Sequence, residues 1–147
     1  MSIEDDVALL ERVPTLRLLG TACLRMLAIG SEQRPVARGD VLFQQGDDAD
    51  AGFIVQRGAF RIEDGAGAEI IAGPGALIGE LALIAAMQRP STATALEHSS
   101  VIRVARSLFQ RVLESDPAAA RRLRDEFANR TSQIASDILM AGAKLST

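Results

Sequence analysis

Between about residues 31 and 105 the sequence is divided into short apolar runs by turn-forming residues, and this pattern constrains the fold most strongly. Typical runs are Val41-Leu42-Phe43 and Thr92-Ala93-Thr94-Ala95, and typical separators are Asp64-Gly65-Ala66-Gly67 and Gly73-Pro74-Gly75. Short strands at close spacing, separated by Gly, Asp and Pro, indicate an antiparallel β-roll or barrel.

Helical periodicity flanks this β-rich segment on both sides. Apolar residues recur at helical spacing over residues 4–12 and 21–29. The same spacing returns at Ser107, which suits an N-cap, and places Leu108, Val112 and Leu113 on one face. Asp116-Pro117 then predicts the start of a long final helix, with Asp as the cap and Pro at the first position. The order is helical, β-rich and helical again.

Composition argues against several functional classes. The net charge is -3 and aromatic residues make up 3% of the chain, without Trp or Tyr, so neither a basic surface nor stacking rings favour nucleic-acid binding. His98 is the single histidine and lies in a polar turn, which excludes a multi-histidine metal site. No Gly-x-Ser-x-Gly motif supports a hydrolase triad. We therefore expect neither catalysis nor a bound metal.

The single cysteine and the N-terminus predict an intracellular environment. Cys23 has no partner for an internal disulfide, and its apolar neighbours predict a buried thiol. The acidic N-terminus lacks the features of a secretory signal, and no apolar run approaches the ~20 residues that a membrane span requires. We expect a cytoplasmic protein that does not associate with a membrane.

Glu80 stands inside an apolar run that follows a Gly-Pro-Gly turn, and it is the first candidate site residue. Burying a lone carboxylate costs several kcal/mol unless something binds it. A helical turn starting near Gly79 would offer free backbone N–H groups to an anion, and Arg89 would add a charged fork. The spacing leaves two interpretations open, which are a ligand site and a buried Glu80–Arg89 ion pair that only pins the loop.

Gly79-Glu80-Leu81-Ala82-Leu83-Ile84, followed by Arg89-x-x-Thr92-Ala93, resembles the phosphate-binding cassette of cyclic nucleotide-binding domains. These domains occur in kinase regulatory subunits, gated channels and bacterial regulators of the catabolite-activator type. The resemblance extends to Gly39-Asp40-Val41-Leu42, Gly46-Asp47-x-Ala49-Asp50 and Gly58-x-Phe60-Arg61-Ile62, and covers roughly residues 8 to 115. It implies an α+β, mainly β fold: an antiparallel β-roll of the double-stranded β-helix or jelly-roll type, flanked by N-terminal helices and a long C-terminal helix.

The expected organisation is a single domain over residues 1–147. Helices are predicted at about 3–30, the β-roll at about 31–105 with the cassette at 78–92, and C-terminal helices at about 107–142. The apolar stripe of the final helix must be covered by the roll or by a second copy of the chain, which predicts a homodimer as one alternative. Its residues are Leu123, Phe127, Ile134, Ile138 and Ala141.

The resemblance implies a ligand and a role for each site residue. Glu80 would accept a hydrogen bond from the ribose 2′-OH, and Arg89 would pair with the cyclic phosphate. The backbone around Gly79, Leu81 and Ala82 would form the rest of the phosphate cradle. Hydroxyl groups of Ser91 and Thr92 would lie near the phosphate or base. The expected ligand is cyclic AMP, with cyclic GMP as the alternative, and no cofactor is expected.

Pro90 departs from the family pattern, which places a small residue with a free N–H after the arginine. Losing one hydrogen bond to a charged group costs about 1.5–3 kcal/mol, or about ten- to a hundredfold in affinity. A hydroxyl at this position favours cyclic GMP in the family, so Pro90 favours cyclic AMP. Ile134 and Ala135 stand near the positions where the catabolite-activator branch reads adenine with hydroxyl groups, and Ser132 and Ser136 lie close by.

Three functions follow from these observations. The first is a sensor that signals through movement of its C-terminal helix to an unknown partner protein or a second copy. The few residues after Leu139 leave no room for a helix-turn-helix, so direct DNA binding is not expected. The second is a degenerate, non-binding roll that serves as an interaction or oligomerisation module, favoured by Pro90 and opposed by Glu80 and Arg89. The third is a cupin-like enzyme, which one histidine disfavours.

Overall fold

The computed structural model describes residues 2–129, in which helices precede and follow a β-rich segment. The helices are α1 (Ile3–Glu11), α2 (Pro14–Arg17), α3 (Thr21–Gly30), α4 (Arg106–Ser115) and α5 (residues 117–129). The strands are β1 (Glu32–Val36), β2 (Val41–Phe43), β3 (Asp48–Ala49), β4 (Ala51–Arg57), β5 (Phe60–Glu63), β6 (Glu69–Ala72), β7 (Leu77–Ile78), β8 (Met87–Gln88), β9 (Thr92–Ala95) and β10 (Ser99–Ala105).

The strands form two four-stranded antiparallel sheets, ordered β1-β10-β4-β7 and β2-β9-β5-β6, and a two-stranded pair, β3-β8. In the first sheet β10 lies between β1 and β4, with Val101 opposite Val55 and Ile102 opposite Ile54. In the second, β5 lies between β6 and β9. This arrangement confirms the predicted α+β fold with an antiparallel β-roll.

The first sheet is covered on both faces, which explains why β4 is buried from Ala51 to Val55. Side chains on one face fill the interior of the roll, including Phe53, Val55 and Val101. On the other face, Ile54 and Ile102 pack against the helices, in a cluster that also contains Phe109. The N-terminal and C-terminal helices therefore share one hydrophobic layer against the roll.

The start of α4 differs from the prediction. The helix begins at Arg106, its N-cap is Ala105, and no side chain caps it, so the assignment of Ser107 as N-cap is wrong. The backbone N–H of Arg106 donates to Asp50 O at 2.8 Å, so a contact with the roll sets the helix start instead. Phe109 and Val112 are the buried residues of α4, whereas Leu108 and Leu113 are partly buried.

Asp116 caps α5 as predicted, because its Oδ1 accepts a hydrogen bond from Ala119 N at 3.1 Å. Its Oδ2 lies 3.6 Å from the Cys23 thiol, which is free and fully buried as expected. Burial, helped by Asp116, raises the pKa of Cys23. The thiol is therefore held in its protonated form at the junction of α3 and α5.

The sequence pattern missed the shortest elements. Pro14 does not only end the first helical segment; it also opens α2, where the missing N–H is tolerated. The two-residue strands β3, β7 and β8 are too short to show any periodicity.

Among residues 2–129 no helix is long and apolar enough to cross a membrane. The predictions for residues 130–142, including Ile134, Ala135, Ile138 and Ala141, lie outside the described residues.

Gly58 and Gly67 provide a test of how the roll packs at its turns. Both have positive φ, 86° and 92°, but a Cβ on Gly58 would overlap Ser99 Oγ, whereas one on Gly67 would meet nothing within 4 Å. Gly67→Ala should cost about 1 kcal/mol from backbone strain. Gly58→Ala should cost about 3 kcal/mol, because overpacking adds to the same strain. Urea denaturation of both variants measures the difference, and equal losses would contradict the packing described for Gly58.

Candidate functional site

A cavity of about 260 Å³ brings most of the predicted site residues together. Gly79, Glu80, Leu81, Arg89 and Ser91 line it, and Pro90 lies beside them. The rest of its wall is hydrocarbon and aromatic, contributed by Phe43, Ile62, Ile70, Leu77, Ile78 and Met87. The volume lies just below the range of about 300–1,000 Å³ for small-molecule sites, so the cavity suits a compact ligand.

Two features require glycine at position 79: the backbone conformation there and the closeness of the Arg89 side chain. Its φ of 78° and ψ of 40° are left-handed, a conformation that glycine adopts without strain. A Cβ at this position would lie 2.5 Å from Arg89 Nη1. The residues that follow, Glu80–Leu83, form a short 3₁₀ helix, which confirms the helical turn predicted near Gly79.

Glu80 is half-buried at the start of this 3₁₀ helix. Its Oε1 accepts a hydrogen bond from Thr15 Oγ1 at 3.0 Å, and Thr15 is itself a buried residue of α2. The bond holds one carboxylate oxygen toward the N-terminal helices. A carboxylate has lone pairs for several donors, so a ligand hydroxyl and Thr15 can be accepted together.

Arg89 is 5% exposed, yet its guanidinium is only partly satisfied. Nη2 donates to Ala51 O at 2.8 Å, while Nε and Nη1 have no hydrogen-bond partner within the described chain. The backbone is fixed on both sides: Arg89 N donates to Asp47 O at 2.7 Å, and Gly46 N donates to Arg89 O at 2.8 Å. The side chain is therefore anchored with unused donors in a buried place, where an unmade hydrogen bond is costly.

Two aromatic rings flank the Arg89 guanidinium. Its Cζ lies 4.2 Å from the ring centroid of Phe43 and 5.4 Å from that of Phe53. Such contacts attract a cation but supply no hydrogen-bond acceptor. Burial lowers the pKa of Arg89, an effect that the Asp50 carboxylate partly opposes. Because an arginine stays protonated even so, the site presents a desolvated positive charge.

The alternative interpretation of a Glu80–Arg89 ion pair is wrong. None of the ion pairs seen between residues 2 and 129 joins these side chains. Arg89 contacts a carbonyl oxygen and two rings, and Glu80 contacts Thr15. The two charged groups line the same cavity without neutralising each other.

Ala82 and Thr92 do not line the cavity. The Ala82 N–H donates to Gly79 O at 3.1 Å, and the Ala82 side chain is fully buried. The Thr92 hydroxyl accepts a hydrogen bond from Gln45 N at 2.9 Å. The ligand roles of these two residues remain predictions, and each already has a structural partner.

The residues that sequence reasoning missed come from distant parts of the chain. Thr15 is separated from Glu80 by 65 positions, and no local pattern relates the two. Phe43 belongs to a recognised apolar run, but nothing in the run indicates that its ring flanks an arginine. Residues 2–129 contain no group of three or more His, Cys, Asp or Glu side chains placed to hold a metal ion.

Comparison with known proteins agrees with this geometry. The family model described as "Cyclic nucleotide-binding domain" matches residues 33–116, which include the roll, the 3₁₀ helix and Arg89. The chain belongs to this family. The resemblance seen in the cassette and the glycine series is thereby confirmed.

Solved structures and a curated relative support the same assignment. A cyclic nucleotide-binding-like protein from Brucella abortus is 38% identical, with a TM-score of 0.67 over 75% of this chain and 98% of that one. The N-terminal domain of a transcriptional regulator from Streptomyces coelicolor is 28% identical, with a TM-score of 0.80 over 88% of this chain and 94% of that one. The cyclic nucleotide-gated potassium channel mll3241 of Mesorhizobium japonicum is 30% identical over 87% of this chain. This chain spans 36% of the channel's length.

The unsatisfied guanidinium predicts an unusual effect of mutation on stability. Replacing a buried charge with an apolar side chain of similar volume is often stabilising, so Arg89→Met should raise the free energy of unfolding of the ligand-free chain by about 1 kcal/mol. Arg38→Met, at an exposed turn position, should change it by less than about 0.5 kcal/mol. Chemical denaturation measures both. A clear loss of stability in Arg89→Met would mean that the guanidinium is already satisfied without a ligand.

Proposed function

We propose that this chain is a regulatory sensor that binds a cyclic nucleotide in the 260 Å³ cavity, with cyclic AMP as the preferred ligand, and catalyses no reaction. The observation that carries the proposal is Arg89, a buried cation with two nitrogen atoms lacking partners in the described chain. An anionic phosphate supplies the acceptors that the protein does not. No metal or cofactor takes part in this scheme.

The phosphate would be held mainly by Arg89. Its Nε and Nη1 would donate to phosphate oxygens, while Nη2 keeps its bond to Ala51 O. Charge-assisted bonds of this kind are about twice as strong as neutral ones, and the low polarity around Phe43 and Phe53 strengthens them further. The N–H of Leu81, in the first turn of the 3₁₀ helix, would be a further backbone donor in the predicted cradle.

The ribose would be recognised by Glu80. Its carboxylate accepts the Thr15 hydroxyl proton through Oε1 and would accept the ribose 2′-OH as a further donor. Because Thr15 is a buried residue of α2, its hydroxyl holds one carboxylate oxygen toward that helix. Glu80 would then bind the sugar and Arg89 the phosphate, from opposite ends of the segment that joins these two residues.

The apolar wall supports cyclic AMP over cyclic GMP. Among the described lining residues, Glu80 and Arg89 are engaged by the sugar phosphate, which leaves Ser91 as the side chain able to hydrogen-bond a base. Guanine carries more hydrogen-bonding groups on its six-membered ring than adenine does. Each such group buried against hydrocarbon without a partner costs about 1–3 kcal/mol, so adenine fits this wall better.

The signal would pass through the helices to a partner protein or to a second copy of the chain. Arg122 on α5 donates through Nε to Leu18 O at 2.7 Å, at the end of α2. The same α2 carries Thr15, which contacts Glu80. A ligand that binds one arrangement of these contacts more tightly than another shifts the helices toward it. We assign the module to the cytoplasm, with dimerisation through the C-terminal helix as one route of output.

A non-binding interaction module is the alternative function. Pro90 lacks the N–H that the family directs at the phosphate, and the Ala82 N–H is already bonded to Gly79 O. Both features reduce the number of donors around the anion. A roll without a ligand would then act only through its surface.

Calorimetric titration with cyclic AMP and cyclic GMP tests the proposal. We expect saturable binding of cyclic AMP with a Kd well below about 1 mM, the value that corresponds to -4.1 kcal/mol. Arg89→Met should weaken binding at least about a hundredfold, because it removes two charge-assisted bonds of about 1.5–3 kcal/mol each. Glu80→Gln should weaken it about tenfold, because a neutral amide is a poorer acceptor than a carboxylate.

Arg38→Met is the control for charge removal, since Arg38 is exposed and does not line the cavity. It should leave the affinity unchanged. Binding of the wild-type chain no tighter than about 1 mM for both nucleotides would favour the non-binding module. Equal losses in Arg38→Met and Arg89→Met would show that any attraction is nonspecific.

Pro90 provides a gain-of-function test. Pro90→Ala restores a backbone N–H without adding a polar side chain, so it should tighten binding of both nucleotides about tenfold. Pro90→Ser adds a hydroxyl as well and should favour cyclic GMP over cyclic AMP relative to Pro90→Ala. Titration of the two variants separates the backbone donor from the hydroxyl. Unchanged affinity in Pro90→Ala would place this N–H away from the phosphate.

A further inference from the structure

Arg106, the first residue of α4, makes a set of hydrogen bonds that the binding scheme does not use. Its Nη1 lies within hydrogen-bond distance of three carbonyl oxygens: Ala49 O at 2.8 Å, Ala82 O at 3.1 Å and Ala85 O at 3.0 Å. Arg106 does not line the cavity. Its side chain nevertheless joins α4 to two segments that are distant from each other in sequence.

The first of these segments also holds the proposed phosphate-binding arginine. Ala49 O accepts from Arg106, and Ala51 O accepts from Arg89 Nη2. Between them, Asp50 O accepts from the Arg106 backbone N–H at 2.8 Å. Residues 49–51 therefore fix the position of Arg89 and Arg106 together.

The second segment is the end of the 3₁₀ helix and the turn after it. Ala82 and Ala85 present carbonyl oxygens at this end, where a helix lacks intrahelical donors and carries partial negative charge. The helix begins at Gly79 and Glu80, which line the cavity. A side chain that fixes the end of so short a helix also fixes its beginning.

We propose that Arg106 is a positioning residue for the cyclic nucleotide site. It holds the Gly79–Leu83 segment against residues 49–51, and so sets the spacing between the backbone that faces the phosphate and the Arg89 guanidinium. Because it opens α4, the same side chain fixes α4 to the position of the 3₁₀ helix. This inference rests on the proposed function for its effect on affinity, but not for its effect on the segment itself.

The geometry also indicates which replacement of Arg106 should preserve the positioning role. All three carbonyl contacts converge on a single nitrogen, so the forked shape of the guanidinium is not required. A lysine ammonium has three donors on one nitrogen and lies only one bond closer to the backbone. Arg106→Lys should therefore preserve most of the function, whereas Arg106→Met removes every side-chain donor while keeping an unbranched side chain.

The first measurement is the affinity for cyclic AMP. Arg106→Met should raise the Kd about tenfold, and Arg106→Lys should keep it within about threefold of the wild-type value. Arg111→Met, an exposed position on the same helix, is the matched control and should bind like the wild type. Unchanged affinity in Arg106→Met, or equal losses in Arg106→Met and Arg106→Lys, would overturn the proposal.

The second measurement is amide hydrogen exchange in the ligand-free chain, which does not depend on binding. The N–H groups of Ala82, Ile84 and Ala85 are bonded within the segment that Arg106 holds. In Arg106→Met they should exchange about tenfold faster or more, while amides in β4 and β10 keep their wild-type rates. Uniform acceleration would show a general loss of stability and overturn the positioning role. If the wild type binds no cyclic nucleotide, the proposed function fails, and the exchange pattern still decides the role of Arg106.

Discussion

The burial of the Arg89 guanidinium without an acidic partner in the described chain is the constraint on which the site depends. Asp50, whose charge opposes the lowering of the Arg89 pKa, lies 3.2 Å from Arg103 and is paired with it. The neighbours of Arg89 are a carbonyl oxygen and two phenylalanine rings. A fold that places a cation in such surroundings gives up stability, and strongly perturbed ionisable groups of this kind cluster at functional sites.

The sequence predicted the parts of this protein that depend on local pattern. Turn glycines and short apolar runs located the roll, and Asp116-Pro117 located the start of α5. The cassette motif located Gly79, Glu80 and Arg89, which share a cavity. These features are visible in sequence because each is encoded within a few consecutive residues. The fold class was also predicted, because helical periodicity and strand periodicity each persist over whole segments of the chain.

The remaining features depend on contacts between distant residues and left no local pattern. Ser107 looked like an N-cap by residue type, but the bond from Arg106 N to Asp50 O sets the start of α4 two residues earlier than a Ser107 cap would. Thr15 orients Glu80 across 65 positions, and a threonine in a helix has no distinguishing spacing. An ion pair between Glu80 and Arg89 was equally compatible with the sequence, because spacing alone does not report side-chain direction.

The proposed phosphate site has fewer backbone N–H donors than a cradle built mainly of backbone N–H groups. Pro90 supplies no N–H, and the Ala82 N–H is committed to Gly79 O. In the proposed complex the guanidinium therefore carries a larger share of the phosphate interaction, and its exact placement matters more than in a site with redundant donors. Placement in turn depends on residues 49–51, where Arg89 and Arg106 are held by neighbouring carbonyl groups. A site with few donors needs a rigid frame, since each donor that remains must be within hydrogen-bond distance before the ligand arrives.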